Sequence, residues 1–164
     1  APLRSGKGYC YEGGIRVPFL ARWPEKIPVG VRSDFPVSSI DLFPTILQAT
    51  GTALPDDRPI DGLSLYDHLT SGGQKSPKRD TLLWHFPHYR HAPGPYSIIR
   101  KGKWKLIKFW EGIHELYDLE NDLGESKNLA MNKPNLVKKL DNELTSRLKA
   151  EGALFPKANP DFEN

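Results

Sequence analysis

Near the start of the chain, Gly6-Lys7-Gly8 sets an ammonium between two glycines, a combination that lets backbone and cation come close to an anion. The Gly-x-x-x-x-Gly-Lys-Ser/Thr pattern is not satisfied, so a phosphate-cradling P-loop is excluded. Taken alone, the segment reads as a solvated lysine in a flexible loop, with anion binding as the functional alternative. His85, His88 and His91 recur every third residue, and on a helix they would stack as metal ligands. Pro87 and Pro93 exclude that helix, and on a strand a step of three alternates faces. These histidines therefore read as loop or hydrogen-bonded structural groups. Substrate contact is the functional alternative, because His85, His88, Tyr89 and Arg90 bring donors and an aromatic ring to the start of a Pro-rich loop. Cys10, the only cysteine, excludes an internal disulfide. Nothing beside it marks an activated nucleophile, so it reads as a partly buried thiol. The acidic stretches 56–61 and 115–122 do not have EF-hand spacing and read as surface loops, so no metal ligands are assigned in this chain.

The elements that must position these groups follow from periodicity. Ile15 to Trp23 is rich in β-branched and aromatic residues and predicts a strand ended by Pro24. Ile40, Phe43, Ile46 and Leu47 fall at helical spacing after Ser38, with Asp41 placed for a capping box and Gly51 as the stop. A short helix is expected over 65–69, and the polar stretch 70–78 marks a boundary. Beyond it, strands are predicted at 81–86, 96–100, 103–110 and 115–119, with Lys101-Gly102 as a hairpin turn. Val137, Leu140, Leu144 and Leu148 define the apolar stripe of a closing helix over 134–151. Arg100, Lys101, Lys103, Lys105 and Lys108 interleave with tryptophans in a way that superficially suggests a nucleic-acid surface. Alternation accounts for it, since Lys103 and Lys105 share one face and Trp104 and Leu106 the other, so a solvated sheet face is expected.

The 164 residues carry 23 Lys+Arg against 20 Asp+Glu, a net charge of +3 that argues against a nucleic-acid partner or a polybasic membrane anchor. No apolar run approaches the ~20 residues of a membrane-spanning helix. With 14 Gly and 15 Pro but apolar residues throughout, the chain reads as a turn-rich α+β protein.

Taken together, Gly6-Lys7-Gly8, Tyr11-Glu12-Gly13-Gly14-Ile15-Arg16-Val17-Pro18 and Trp23-Pro24 closely resemble a segment of type I sulfatases, the arylsulfatase branch of the alkaline phosphatase superfamily. The similarity continues in order through Ser38 to Thr45, Asp61 to Leu65, Trp84 to Tyr89, Ile99 to Ile107, Glu115 to Leu119, and Asp122-Leu123-Gly124-Glu125 with Asn128-Leu129-Ala130.

The resemblance implies the last third or so of such an enzyme. Residues 1–71 would be the closing strand and helices of an alkaline-phosphatase-like α/β domain. Residues 72–164 would be a small four-stranded antiparallel sheet packed on a C-terminal helix. The resemblance assigns sulfate binding to Lys7. The formylglycine nucleophile and the calcium ligands would lie upstream, so no metal is expected in this chain and the 164 residues alone are expected to be inactive. It further implies a sulfated small molecule or glycan as partner, a periplasmic or extracellular location, and self-association through surface that the rest of the enzyme would cover. A phosphonate or phosphate monoester hydrolase of the same superfamily and a free-standing carbohydrate-binding module are the alternatives. Glu12 and Arg16 read as structural.

Overall fold

A computed structural model describes residues 2–89 and 94–157. The chain divides into two compact units, one made of Ala1–Val17 with Asp80–Asn164, the other of Pro18–Arg79.

In the first unit, β1 (Thr81–Phe86), β2 (Tyr96–Lys101), β3 (Trp104–Phe109) and β4 (His114–Asp118) form an antiparallel sheet in sequence order. The hairpin turn between β2 and β3 is Gly102-Lys103, one residue later than predicted, with Gly102 at φ +56°. Cross-strand rows sort the sheet into two faces. The row Leu83, Ile99, Leu106 and Leu116 packs on Leu140, Leu144 and Leu148 of a C-terminal helix, Pro134–Ala150, the stripe predicted from spacing. Proline in the first turn and Gly152 at φ +69° delimit that helix.

The opposite face is also covered. Ile98, Ile107, Phe109 and Tyr117 pack with Cys10 and Tyr11 of the N-terminal segment, which includes a helical turn, α1 (Glu12–Ile15). This changes two expectations. Residues 1–17 pack with the sheet, so the contact boundaries fall at 17/18 and 79/80 instead of 71/72. Lys105 is fully buried, not part of a solvated face. It shares its face with Ile107 and Phe109, and a strand covered on both sides has no wet face.

The second unit holds a 3₁₀ turn, Ser39–Asp41, that leads into α2 (Leu42–Ala49), and a short α3 (Tyr66–Thr70). Its centre is the buried Asp41. One oxygen accepts the Ser38 N–H at 2.8 Å, the other the Leu63 N–H at 2.9 Å, and the Arg79 guanidinium forks onto both. Thr45 Oγ1 accepts the Leu65 N–H at 2.8 Å. A Cβ on Gly62 would stand 2.0 Å from the Ile40 carbonyl oxygen, so only glycine lets the two segments touch. The Ser-Ser-Ile-Asp and Asp-Gly-Leu-Ser-Leu motifs are thus two halves of one buried hydrogen-bonded joint.

The strand predicted over 15–23 does not form. Ile15 ends α1, and residues 16–23 belong to neither helix nor strand and have no ladder partner among the described residues. Val17 and Leu20 are 76% and 92% exposed. A strand sequence without a neighbouring edge has nowhere to place its N–H and C=O groups except in water. Ile40, Leu42, Phe43 and Ile46 also present apolar side chains to solvent.

Candidate anion-binding loop

Lys7 sits on a tight loop whose shape is dictated by the glycines around it. Gly8 has φ +96° and Ser5 φ +60°, and the Tyr9 N–H closes a turn onto the Gly6 carbonyl at 3.1 Å. The loop rests directly on α1, where the Gly13 N–H donates to the Arg4 carbonyl at 2.9 Å. A Cβ on Gly13 would lie 2.3 Å from the Ser5 carbonyl oxygen, and one on Gly14 would lie 2.1 Å from that of Tyr9. Side chains at these two positions would lever the loop away, so Gly13-Gly14 is a seat as well as a turn. The Lys7 side chain is exposed and has no hydrogen-bond or ion-pair partner among the described residues. An uncommitted ammonium on a braced backbone suits an anionic ligand, since the loop is already ordered and the side chain has no partner to give up.

Beneath the loop, polar side chains are paired. Arg4 stacks on the Tyr11 ring, 3.7 Å from its centroid, and donates to Tyr117 Oη at 2.7 Å. Tyr11 and Tyr117 both donate to Glu115 Oε2, at 3.0 and 2.8 Å. Burial, reinforced by the Glu115 charge, holds both phenols above their ordinary range, so they stay protonated as donors. Glu12 and Glu125 converge on Lys105 Nζ at 3.0 and 2.7 Å. Glu12 is structural, as expected.

Cys10 is buried in this layer. Burial pushes its thiol up to about 12, against a weaker opposing pull from Lys105. Only ~1 in 10⁴ of such thiols is ionised at pH 8, and the thiolate is the reactive form. Iodoacetamide at pH 8 is expected to alkylate the native protein about 10³-fold more slowly than the denatured chain. Comparable rates in mass spectrometry would overturn this placement.

The histidine-rich segment is split by the structure. His85 lies on β1 with both ring nitrogens engaged, Nδ1 with Ser97 Oγ at 2.7 Å and Nε2 with the Leu154 carbonyl at 2.8 Å. Its ring also packs on Phe155 and Trp110. The His85 ring is thus held by partners within the sheet unit. His88 and Tyr89 are exposed after the strand. His88 packs edge-on against Phe86, and Tyr89 donates to Glu111 Oε1 at 2.8 Å. Arg90, His91 and Pro93 lie outside the described residues.

Among the described residues, no group of three or more His, Cys, Asp or Glu side chains is placed to hold a metal ion. No described helix is long and apolar enough to cross a membrane.

The four-stranded sheet, covered on one face by the C-terminal helix and on the other by the N-terminal segment, has counterparts in known proteins. The model of a family described as N-sulphoglucosamine sulphohydrolase, C-terminal, matches residues 5–152, and the chain belongs to that sulfatase family. A sulfatase of Formosa agariphila is 35% identical over 163 residues, covering 90% of this chain and 30% of that protein. The crystal structure of Ps i-CgsB in complex with k-i-k-neocarrahexaose superposes with a TM-score of 0.74 at 29% identity, over 89% of this chain and 32% of that one. A structure in complex with its substrate D-glucosamine-2-N,6-O-disulfate gives a TM-score of 0.58 at 28% identity, over 78% of this chain and 27% of that one. The chain thus spans about a third of the length of the proteins it matches.

Proposed function

We propose that this chain is the C-terminal part of an enzyme that hydrolyses sulfate esters, and that Lys7 binds the sulfate oxygens. The observation that carries the proposal is the exposed, unpaired Lys7 ammonium on a loop seated by Gly13 and Gly14. When an ester S–O bond breaks, negative charge grows on the departing alcohol oxygen and persists on sulfate. An ammonium carried on a braced backbone stabilises that charge with little backbone reorganisation. Family membership supports sulfate as the anion, and the disulfated glucosamine bound by one similar structure supports a sulfated sugar as substrate. His88 and Tyr89, with Arg90, are proposed to border the sugar site. Formylglycine and calcium are assigned to the remainder of the enzyme, and the reading places the whole protein in the periplasm or outside the cell.

Expected are turnover of an aryl sulfate or a sulfated glucosamine by the whole protein and none by residues 1–164 alone. Preference for an aryl phosphonate monoester would overturn the sulfate assignment. Turnover by the rigorously purified 164 residues would overturn the division of labour. Tight binding of a sulfated glycan by that piece, with no hydrolysis by the whole protein, would instead make the chain a binding module.

A further inference from the structure

Lys105, Glu12 and Glu125 form an ion triad with side chains at most 3% exposed. Lys105 Nζ reaches Glu125 Oε1 at 2.7 Å and Glu12 Oε1 at 3.0 Å, while the Glu12 N–H donates to Glu125 Oε2 at 2.6 Å. Buried charge of this kind is a poor source of stability, because desolvation cancels most of the attraction and apolar side chains of equal volume often hold a fold as well. What the triad does supply is geometry. Glu125 is a non-glycine residue at φ +51°, a conformation retained only where the surroundings impose it.

Glu125 holds both ends of the Lys7 loop. Its side chain fixes the first residue of α1, on whose Gly13 and Gly14 the loop is seated, and its carbonyl accepts Arg4 NH1 at 3.0 Å on the other side. Lys105, on β3, locks the Glu125 carboxylate to Glu12 from below. A shift of Glu125 therefore moves both supports of the loop together.

We infer that Glu125 and Lys105 are positioning residues for Lys7, through which the C-terminal sheet sets where the sulfate-binding ammonium stands. The inference rests on the sulfate-binding role proposed for Lys7. Misplacing a group by ~1 Å typically costs ~10²-fold in rate.

The test is a double-mutant cycle in the whole enzyme, following kcat/KM for a sulfate ester with thermal unfolding as the control for folding. Glu125→Gln removes one carboxylate charge and one of its two acceptors. It is expected to lower kcat/KM about 10- to 100-fold when Lys7 is present and less than about 2-fold in a Lys7→Ala background. Tyr117→Phe, which takes away one of the two acceptors for Arg4 and the donor to Glu115 while keeping the ring, is expected to lower it about 3- to 10-fold with the same dependence on Lys7. Should Glu125→Gln fail to fold, Tyr117→Phe completes the cycle. Equal losses in both backgrounds, or no loss in the folded variants, would overturn the positioning role alone. An unchanged kcat/KM in Lys7→Ala itself would instead overturn the sulfate-binding role of Lys7.

Discussion

Replacing Lys7 by alanine is expected to cut kcat/KM for a sulfate ester by about 10²- to 10³-fold in the whole enzyme, the range for removing one donor to developing charge. The same substitution is expected to leave the unfolding midpoint nearly unchanged, because the side chain is exposed and unpaired. That separation matters, since a loop lysine needed only for folding would lose activity and stability together. Lys7→Arg is expected to recover part of the loss. It keeps the positive charge but spreads it over a planar fork that does not reproduce the compact point charge of an ammonium. Parallel kcat/KM and thermal-unfolding measurements check both variants, and an Ala variant with wild-type kcat/KM would remove Lys7 from the chemistry.

The second large effect falls on Asp41. Asp41→Ala is expected to destabilise the 18–79 unit by about 3–5 kcal/mol, because it strands a nearly buried guanidinium. It also takes the acceptors from the Ser38 and Leu63 amides. A loss of that size is a large share of the ~5–15 kcal/mol that holds a typical domain together. Hydrogen exchange is the fitting readout, with the Leu63 and Leu65 amides expected to lose protection. Retained protection at those two amides would show that the joint does not depend on the carboxylate. Arg79→Leu alone removes the guanidinium but leaves both amides paired, so it is expected to cost less.

The sheet and its helix were legible because their signals are local. Strand alternation around a Lys-Gly turn and a stripe of Val137, Leu140, Leu144 and Leu148 each lie within one element, and the structure shifts them by only a residue or two. The strand predicted over 15–23 failed for a non-local reason, because β-branched composition favours an extended chain but cannot supply the neighbouring edge. The position of Lys105 was misjudged by attending to the residue in place of its row. Lys105, Ile107 and Phe109 share a face, and two large apolar neighbours were the available sign that the face was inside. Nothing in the spacing showed that Glu12 and Glu125 would meet that lysine, since the pairings span 93 and 20 residues. Lys7 was marked by its flanking glycines and by the family resemblance. The role of Gly13-Gly14 as its seat depends on carbonyls that only the folded loop brings near. The two bonds that hold His85 inside the sheet unit were not legible either, since Ser97 and Leu154 lie 12 and 69 residues away.

The bracing of the lysine loop by Glu125 also has a consequence in time. Arg4 and the Glu125 carbonyl are separated by 121 residues of chain. At ~5–20 residues per second of synthesis, about 6–24 s pass between the making of the one and of the other. Throughout that interval Arg4 lacks the Glu125 carbonyl, and the lysine loop has only its local contacts. If Lys7 binds sulfate as proposed, a nascent chain stalled before Glu125 holds that lysine without its brace. Under that proposal, the aiming of Lys7 waits on the synthesis of Glu125.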